Sequence, residues 1–257
     1  MSLNDRHHGA QRLRLDALIA ERGLADSRSR ARDAILRGHV SVDGAVVSRP
    51  SLTVPLDAEI TIDDPAGGYV SRAALKLIAG LDAFGFDVSG KLCLDVGAST
   101  GGFTQVLLER GAARVVAIDV GHDQMHTAVR DDPRVHAVDG LNARDMTLAD
   151  IGGEAPLLVV ADISFISLTL ALPPALSFAA AGAEAVLLVK PQFEAGREAI
   201  GRGGLLRGGA DAAAVIAAER RQWLDSQPGW RSIGLIPSPI LGGDGNAEFV
   251  LGGRKNR

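Results

Sequence analysis

The run Leu92-Cys93-Leu94-Asp95-Val96-Gly97-Ala98-Ser99-Thr100-Gly101-Gly102-Phe103-Thr104 constrains this chain more than any other stretch. It opens as an apolar strand, carries an acid near the strand end, breaks into small residues, and restarts as the helical pattern Phe103, Val106, Leu107. Glycines let the backbone come close to a ligand, and a helix start offers unpaired N–H groups. A strand, loop and helix of this kind bind a nucleotide-like group at the carboxyl edge of a parallel sheet. The glycine spacing, Gly97-x-x-x-Gly101-Gly102, fits neither the dinucleotide Gly-x-Gly-x-x-Gly nor a P-loop ending in Gly-Lys-Ser/Thr.

From Lys91 onward, apolar strands alternate with helical stretches, which implies a parallel sheet covered on both faces. Strands are expected at Leu92–Asp95, Arg114–Asp119, Arg134–Val138, Leu157–Ala161, Ala185–Val189, Arg231–Ile236 and Ala247–Leu251. Asp119 ends the second, where an acid can accept hydrogen bonds from ribose hydroxyls. Asn142, just past the third, is placed to approach an adenine; either residue could instead be a turn former. Only a short Gly- and Pro-rich loop separates the last two strands, so they form an antiparallel hairpin, because parallel neighbours need a long crossover. Glu248 then begins the last strand on the edge where Asp162 and Lys190 end the fourth and fifth. Each alone could be a surface charge; together they suggest a site. A helix from Ser71 towards Phe84 carries Arg72 and Lys76 four residues apart on one side, a pair that alone reads as an exposed face.

The 257 residues allow a second, smaller unit in front. Leu13 to Glu21 reads as a helix, and Ser27 caps another through Arg37. Val40–Val42, an Asp43-Gly44 turn, Ala45–Val47 and Glu59–Ile62 form short strands. Arg28, Arg30, Arg32 and Arg37 lie largely outward on the second helix. The net charge of −4 leaves nucleic-acid binding to such local patches, and arginine pairs with phosphate through two N–H groups at once. The single cysteine, Cys93, excludes a disulfide framework or Cys-rich zinc site and fits a reducing cytoplasm. Residues 1–10 read as a disordered tail and not as a secretory signal. Ile163 to Ala183 lacks charge, yet Pro173-Pro174 interrupts it, so a buried, proline-started helix explains it better than a membrane span. Ala195 to Gly209 holds Arg197, Arg202 and Arg207 among glycines, as a floppy connector or a basic lid.

Asp95 to Phe103 resembles motif I of S-adenosylmethionine (SAM) methyltransferases. Lys76, Asp162, Lys190 and Glu248 match the Lys–Asp–Lys–Glu tetrad of FtsJ-like RNA ribose 2′-O-methyltransferases. Arg12 to Asp63 resembles the S4 RNA-binding domain through Ser27-Arg28, Ala31, Ile35, Gly38, Val40, Val42 and Asp43-Gly44. With Tyr69-Val70-Ser71-Arg72, Asn142-Ala143-Arg144, Val189-Lys190-Pro191-Gln192-Phe193-Glu194 and Gly245-Asn246-Ala247-Glu248, the chain resembles the TlyA (hemolysin A) family of ribosomal RNA 2′-O-methyltransferases. The resemblance implies an α/β fold: a seven-stranded, Rossmann-like SAM-dependent methyltransferase domain over 71–257, a linker over 64–70 and a small α+β S4 domain over 11–63.

It further implies methylation of a cytidine 2′-hydroxyl in ribosomal RNA, with the RNA or a ribosomal subunit as partner, no metal, and no stable membrane association. SAM would be held by Asp95, Gly97, Ser99, Thr100, Gly101, Gly102, Phe103, Asp119, Asn142 and Asp162. Lys76, Asp162, Lys190 and Glu248 would be catalytic, with Lys190 nearest the hydroxyl. Arg28, Arg30, Arg32, Arg37, Arg72 and Arg202 would contact RNA. One departure stands out: His122-Asp123 occupy positions where the family text has an aromatic residue and a glycine. The rival readings are a pore-forming cytolysin, which would lyse liposomes without SAM, and an RNA-binding protein with an inactive methyltransferase domain.

Overall fold

The computed structural model describes residues 11–256; the expected tail over 1–10 lies outside them. The chain divides into two compact units between Gly68 and Tyr69.

In the first unit β1 (Arg12–Arg14) leads into α1 (Leu15–Glu21) and α2 (Arg28–Leu36), followed by β2 (Val40–Val42), β3 (Ala45–Val46), β4 (Thr53–Pro55) and β5 (Ile60–Ile62). The expected first helix loses its opening residues because Leu13 pairs with Val54 in a β1–β4 ladder. Ser27 does cap α2, its hydroxyl accepting the Arg30 N–H at 3.2 Å. Asp43 and Gly44 both take positive φ, 49° and 78°, the geometry that a two-residue hairpin turn needs. The sheet order is β3-β2-β5. Leu15, Ile19, Ala31, Ile35 and Val40 are fully buried between the helices and this sheet.

The second unit begins with α3 (Ala74–Phe84), which Gly85 ends in a left-handed C-cap. It continues with β6 (Leu92–Val96), α4 (Gly102–Glu109), β7 (Arg114–Asp119), α5 (Thr127–Arg130), β8 (Val135–Asp139) and β9 (Leu158–Ala161). Then come α6 (Leu168–Ala171), α7 (Pro173–Phe178), β10 (Glu184–Val189), α8 (Pro191–Glu194), α9 (Gly209–Asp225), β11 (Trp230–Pro237) and β12 (Phe249–Lys255). The seven strands are ordered β11-β12-β10-β9-β6-β7-β8. β6 to β10 run parallel, and β12 is antiparallel to both its neighbours. Alternation along each strand fills two apolar layers. Leu94, Val96, Val159 and Leu187 face α6, α7 and α9, whereas Cys93, Val115, Val160 and Leu188 face α3 and α4.

The uncharged run after Asp162 becomes α6 and α7, with Pro173 at the first position of α7, where its missing N–H costs nothing. Lys255 Nζ closes the far end of α7 by donating to the carbonyls of Leu176, Ser177 and Ala179 at 3.1, 3.0 and 2.7 Å. Among the described residues no helix is long and apolar enough to cross a membrane. α9 is capped by Gly208, with Asp211 inside its first turn.

Candidate active site

The carboxyl edge of the sheet is organised by one glycine. Gly97 follows β6 with φ 81°, and a Cβ there would lie 2.9 Å from the Asp162 carbonyl oxygen. Only glycine lets the loops after β6 and β9 meet this closely. Two cavities flank the meeting point. One, of about 300 Å³, is lined by Ile118, Asp119, Val120, Leu141, Asn142, Ile163 and Phe165. The other, of about 220 Å³, is lined by Ser71, Thr100, Gly102, Phe103 and Lys190. They share Gly97, Ser99, Asp162 and Ser164. The larger has apolar walls with an acid and an amide on them, and the smaller reaches the N-terminus of α4, where unpaired N–H groups favour negative charge.

Asp119 works first as a brace. Its carboxylate accepts the N–H of Ser99 at 2.8 Å and of Gly121 at 2.7 Å, which fixes the loops after β6 and β7 to each other. Each oxygen keeps a second lone pair for a ligand. Asn142 also lines the larger cavity, and its Oδ1 accepts the Arg144 N–H at 3.1 Å. Asp95 departs from expectation. It is fully buried, lines neither cavity, and accepts the Thr104 hydroxyl at 2.7 Å. Burial pushes its carboxyl up to about 7, against the Thr104 hydrogen bond. Asp95 therefore braces the start of α4 from below. Gly101, with φ 94°, likewise sits outside both linings, packed over Val129 and Met125.

Four charged side chains form two ion pairs at this edge, of which Asp162 and Lys190 line the cavities and Lys76 and Glu248 do not. Lys190, the residue after β10, places Nζ 2.6 Å from Asp162 Oδ1 and donates to Ser164 Oγ at 2.8 Å. Lys76 on α3 pairs with Glu248, and their side chains are only 7% and 3% exposed. The β10–β12 register pairs Val189 with Phe249, so Lys190 and Glu248 stand side by side where the two strands meet the edge. The helix carrying Lys76 differs from the sequence reading. It begins at Ala74, which leaves Arg72 outside it, and Lys76 faces inward. A helical face of charged residues four apart looks exposed until a partner far along the chain is known. Glu248 is that partner.

Residues 69–255 match the FtsJ-like methyltransferase family, and residues 13–60 match the S4 domain. The chain is 46% identical over 244 residues to the 16S/23S rRNA (cytidine-2′-O)-methyltransferase TlyA of Mycobacterium tuberculosis, covering 94% of this chain and 90% of that one. The chain belongs to the TlyA family. Hemolysin A of Brachyspira hyodysenteriae is 37% identical over 238 residues, 93% of this chain and 98% of its own. A solved structure from Streptococcus thermophilus that carries a hemolysin name is 35% identical with a TM-score of 0.70, covering 96% of this chain and 90% of that one. Membership of the TlyA family makes SAM the cofactor. The paired cavities, with their apolar walls, brace acid and helix N-terminus, suit a nucleoside joined to an amino acid.

The departure from TlyA family text has a local explanation. Asp123, where glycine is usual, takes φ 53°, a conformation that Asp tolerates better than most residues, and its N–H donates to Asp139 at 3.3 Å. His122 packs its ring against Gly140. Among the described residues no group of His, Cys, Asp and Glu is arranged to hold a metal.

The arginines fare unevenly. Arg37, read as outward, is turned in: its guanidinium donates to Asp64 at 2.8 and 2.6 Å and to Asp33 at 2.9 Å. It ties the stretch after β5 to α2 and is a structural residue. Arg28 is half-exposed beside Asp16 at 3.3 Å. A neighbouring hydrogen bond from Arg14 holds the Asp16 carboxyl down at about 2. Arg30 approaches Asp26 at 3.5 Å and donates to the Ala66 carbonyl at 3.2 Å. Arg32 is exposed. In the second unit, Arg72 is half-buried near Gly243.

Arg202 is exposed on a segment that is closed rather than floppy. Gly201 donates to Leu205 at 2.7 Å and Arg207 to Ala199 at 2.8 Å. Buried Asn246 clamps this segment from across the edge. It accepts the Leu206 N–H and donates to the Gly204 carbonyl, both at 2.9 Å. Asn246 and two loop residues, Ser164 and Phe165, have no role in the sequence reading. Phe165 is 90% exposed with φ 68°, rare for a bulky residue, and its ring lies 5.0 Å from that of Phe193. All three fall inside stretches that resemble the family, but the stretches do not say what the side chains do.

Proposed function

We propose that this chain methylates the ribose 2′-hydroxyl of a cytidine in ribosomal RNA. The observation that carries the reading is the Lys190–Asp162 pair on the wall of a glycine-built double cavity, with the buried Lys76–Glu248 pair next to it through the β10–β12 register. SAM supplies a methyl group on positively charged sulfur. In this reading Asp119 and Asn142 hold the nucleoside in the larger cavity. Ser99, Thr100 and the start of α4 hold the amino-acid end in the smaller one, and Gly97 keeps the wall between them thin. Asp162 borders both.

A ribose hydroxyl is a weak nucleophile while it keeps its proton, so the chain must hold its oxygen in line and relieve it of the proton. Lys190 does this from the cavity wall. Neutral, it accepts the proton; charged, it stabilises negative charge growing on the oxygen. Asp162 orients the amine. Lys76 and Glu248 supply a fixed, dry pair that holds the ribose. Phe165 offers an exposed ring at the lip of the larger cavity, a face on which an unstacked base can rest. Exposed Arg32 and Arg202, with Arg28, Arg30 and Arg72, meet phosphates, which position RNA without reading its sequence. The substrate places the protein in the cytoplasm, on ribosomal RNA or a subunit.

The test is transfer of labelled methyl from SAM to ribosomal subunits that lack the modification, followed by mapping of the modified ribose. Lys190→Ala should keep SAM binding, read by heat stabilisation, and lose transfer. Near-normal turnover in that variant would overturn the assignment.

A further inference from the structure

We propose that Ser164 is a positioning residue for Lys190, its hydroxyl fixing the direction in which the amine meets the substrate. The inference rests on the reading of Lys190 given above. Asp162 Oδ1 lies 2.6 Å from Nζ as an ion pair, yet that oxygen accepts no aligned hydrogen bond. An ion pair of this kind attracts the amine without fixing its direction. The hydrogen bond that the amine donates runs to Ser164 Oγ at 2.8 Å. With Asp162 alone the long side chain would pivot about the carboxylate; the Ser164 hydroxyl supplies the directional contact that orients the amine.

The place of Ser164 fits that task. It borders both cavities, at the wall they share. Its backbone is pinned on either side, by the buried side chain of Ile163 and by the left-handed turn at Phe165. Ser167, three residues on, has an ordinary structural use: it caps α6 through the Thr169 N–H at 3.2 Å and bonds Glu194. Ser164 caps no helix; the bond it makes is to Lys190.

The experiment measures steady-state methylation of unmodified ribosomal subunits by the full chain with Ser164→Ala, Ser164→Thr and Lys190→Ala. Misplacing a reacting group by about an ångström costs roughly a hundredfold, so Ser164→Ala should lower kcat by about ten- to a hundredfold. KM for SAM should stay within about twofold, and the thermal midpoint should be unchanged because Ser164 is exposed. Ser164→Thr, which restores a hydroxyl, should recover most of the rate. Wild-type kcat in Ser164→Ala would overturn the proposal, as would a loss appearing only in KM for SAM. An active Lys190→Ala would instead overturn the role of Lys190 itself, so the two failures are separable.

Discussion

Breaking the Lys76–Glu248 pair from one side should destabilise the second unit far more than it would at an exposed site. Both side chains are over nine-tenths buried, and α3 packs Leu77 and Leu81 into the core beside them. Glu248→Leu leaves an ammonium with no counter-charge in an apolar layer, which typically costs about 3–5 kcal/mol. For a domain of this size each kcal/mol lowers the midpoint by about 2–4 °C, so a fall of roughly 6–20 °C is expected. The double variant Lys76→Met/Glu248→Leu removes both charges and fills similar volume. It should recover most of the lost stability, since replacing a buried pair by apolar side chains is often neutral or better, yet remain inactive. Thermal unfolding of the two variants, read beside methyl transfer, makes the comparison. A midpoint for Glu248→Leu within a degree or two of wild type would refute the argument. A double variant as unstable as the single one would assign the cost to packing and not to charge. A pair that apolar residues can replace without loss of stability is held for its chemistry.

Three further outcomes follow from other parts of the site. Burial raises the Asp95 carboxyl from 3.8 to about 7, so its contribution is fullest below pH 3.8 and is lost as pH rises through 7. Asp95→Asn should therefore gain on wild type across that window, by on the order of 4 kcal/mol at most at about 1.36 kcal/mol per pH unit; denaturant unfolding at pH 5 and pH 8 giving equal differences would contradict it. Phe165→Ala should raise KM for the RNA substrate by about tenfold, in line with roughly 1–3 kcal/mol for a base on an aromatic ring, and leave SAM binding within about twofold; an unchanged RNA KM counts against the stacking role. Asn246→Ala should open the 199–207 segment to limited proteolysis and cost about 1–3 kcal/mol for the backbone groups left unpaired, whereas wild-type resistance to the protease would show that the clamp does not hold the segment.

The parts of this site that sequence could anticipate are those that topology alone determines. A parallel sheet gathers every strand end on one edge, so Asp162 and Lys190 were bound to meet once their strands were recognised. Glu248 joined them because a loop too short for a crossover forces the last strand to run back, and the register of Val189 with Phe249 follows from that. Helix faces obey a different logic. Periodicity tells which residues share a side, but a charge on that side is buried or exposed according to partners that local pattern cannot name. Lys76 read as solvated until Glu248, 172 residues away, was in view. Arg37 read as an RNA contact until Asp64, 27 residues on, claimed its guanidinium. Asp95 differs in another way. Its motif marks it as a cofactor residue, while in the fold it is fully buried, lines neither cavity and accepts the Thr104 hydroxyl. Charges that follow the last residue of a strand, as Asp162 and Lys190 do, are therefore the safer markers of a reacting centre in such a fold, and charges on helices gain meaning only once their long-range partners are known.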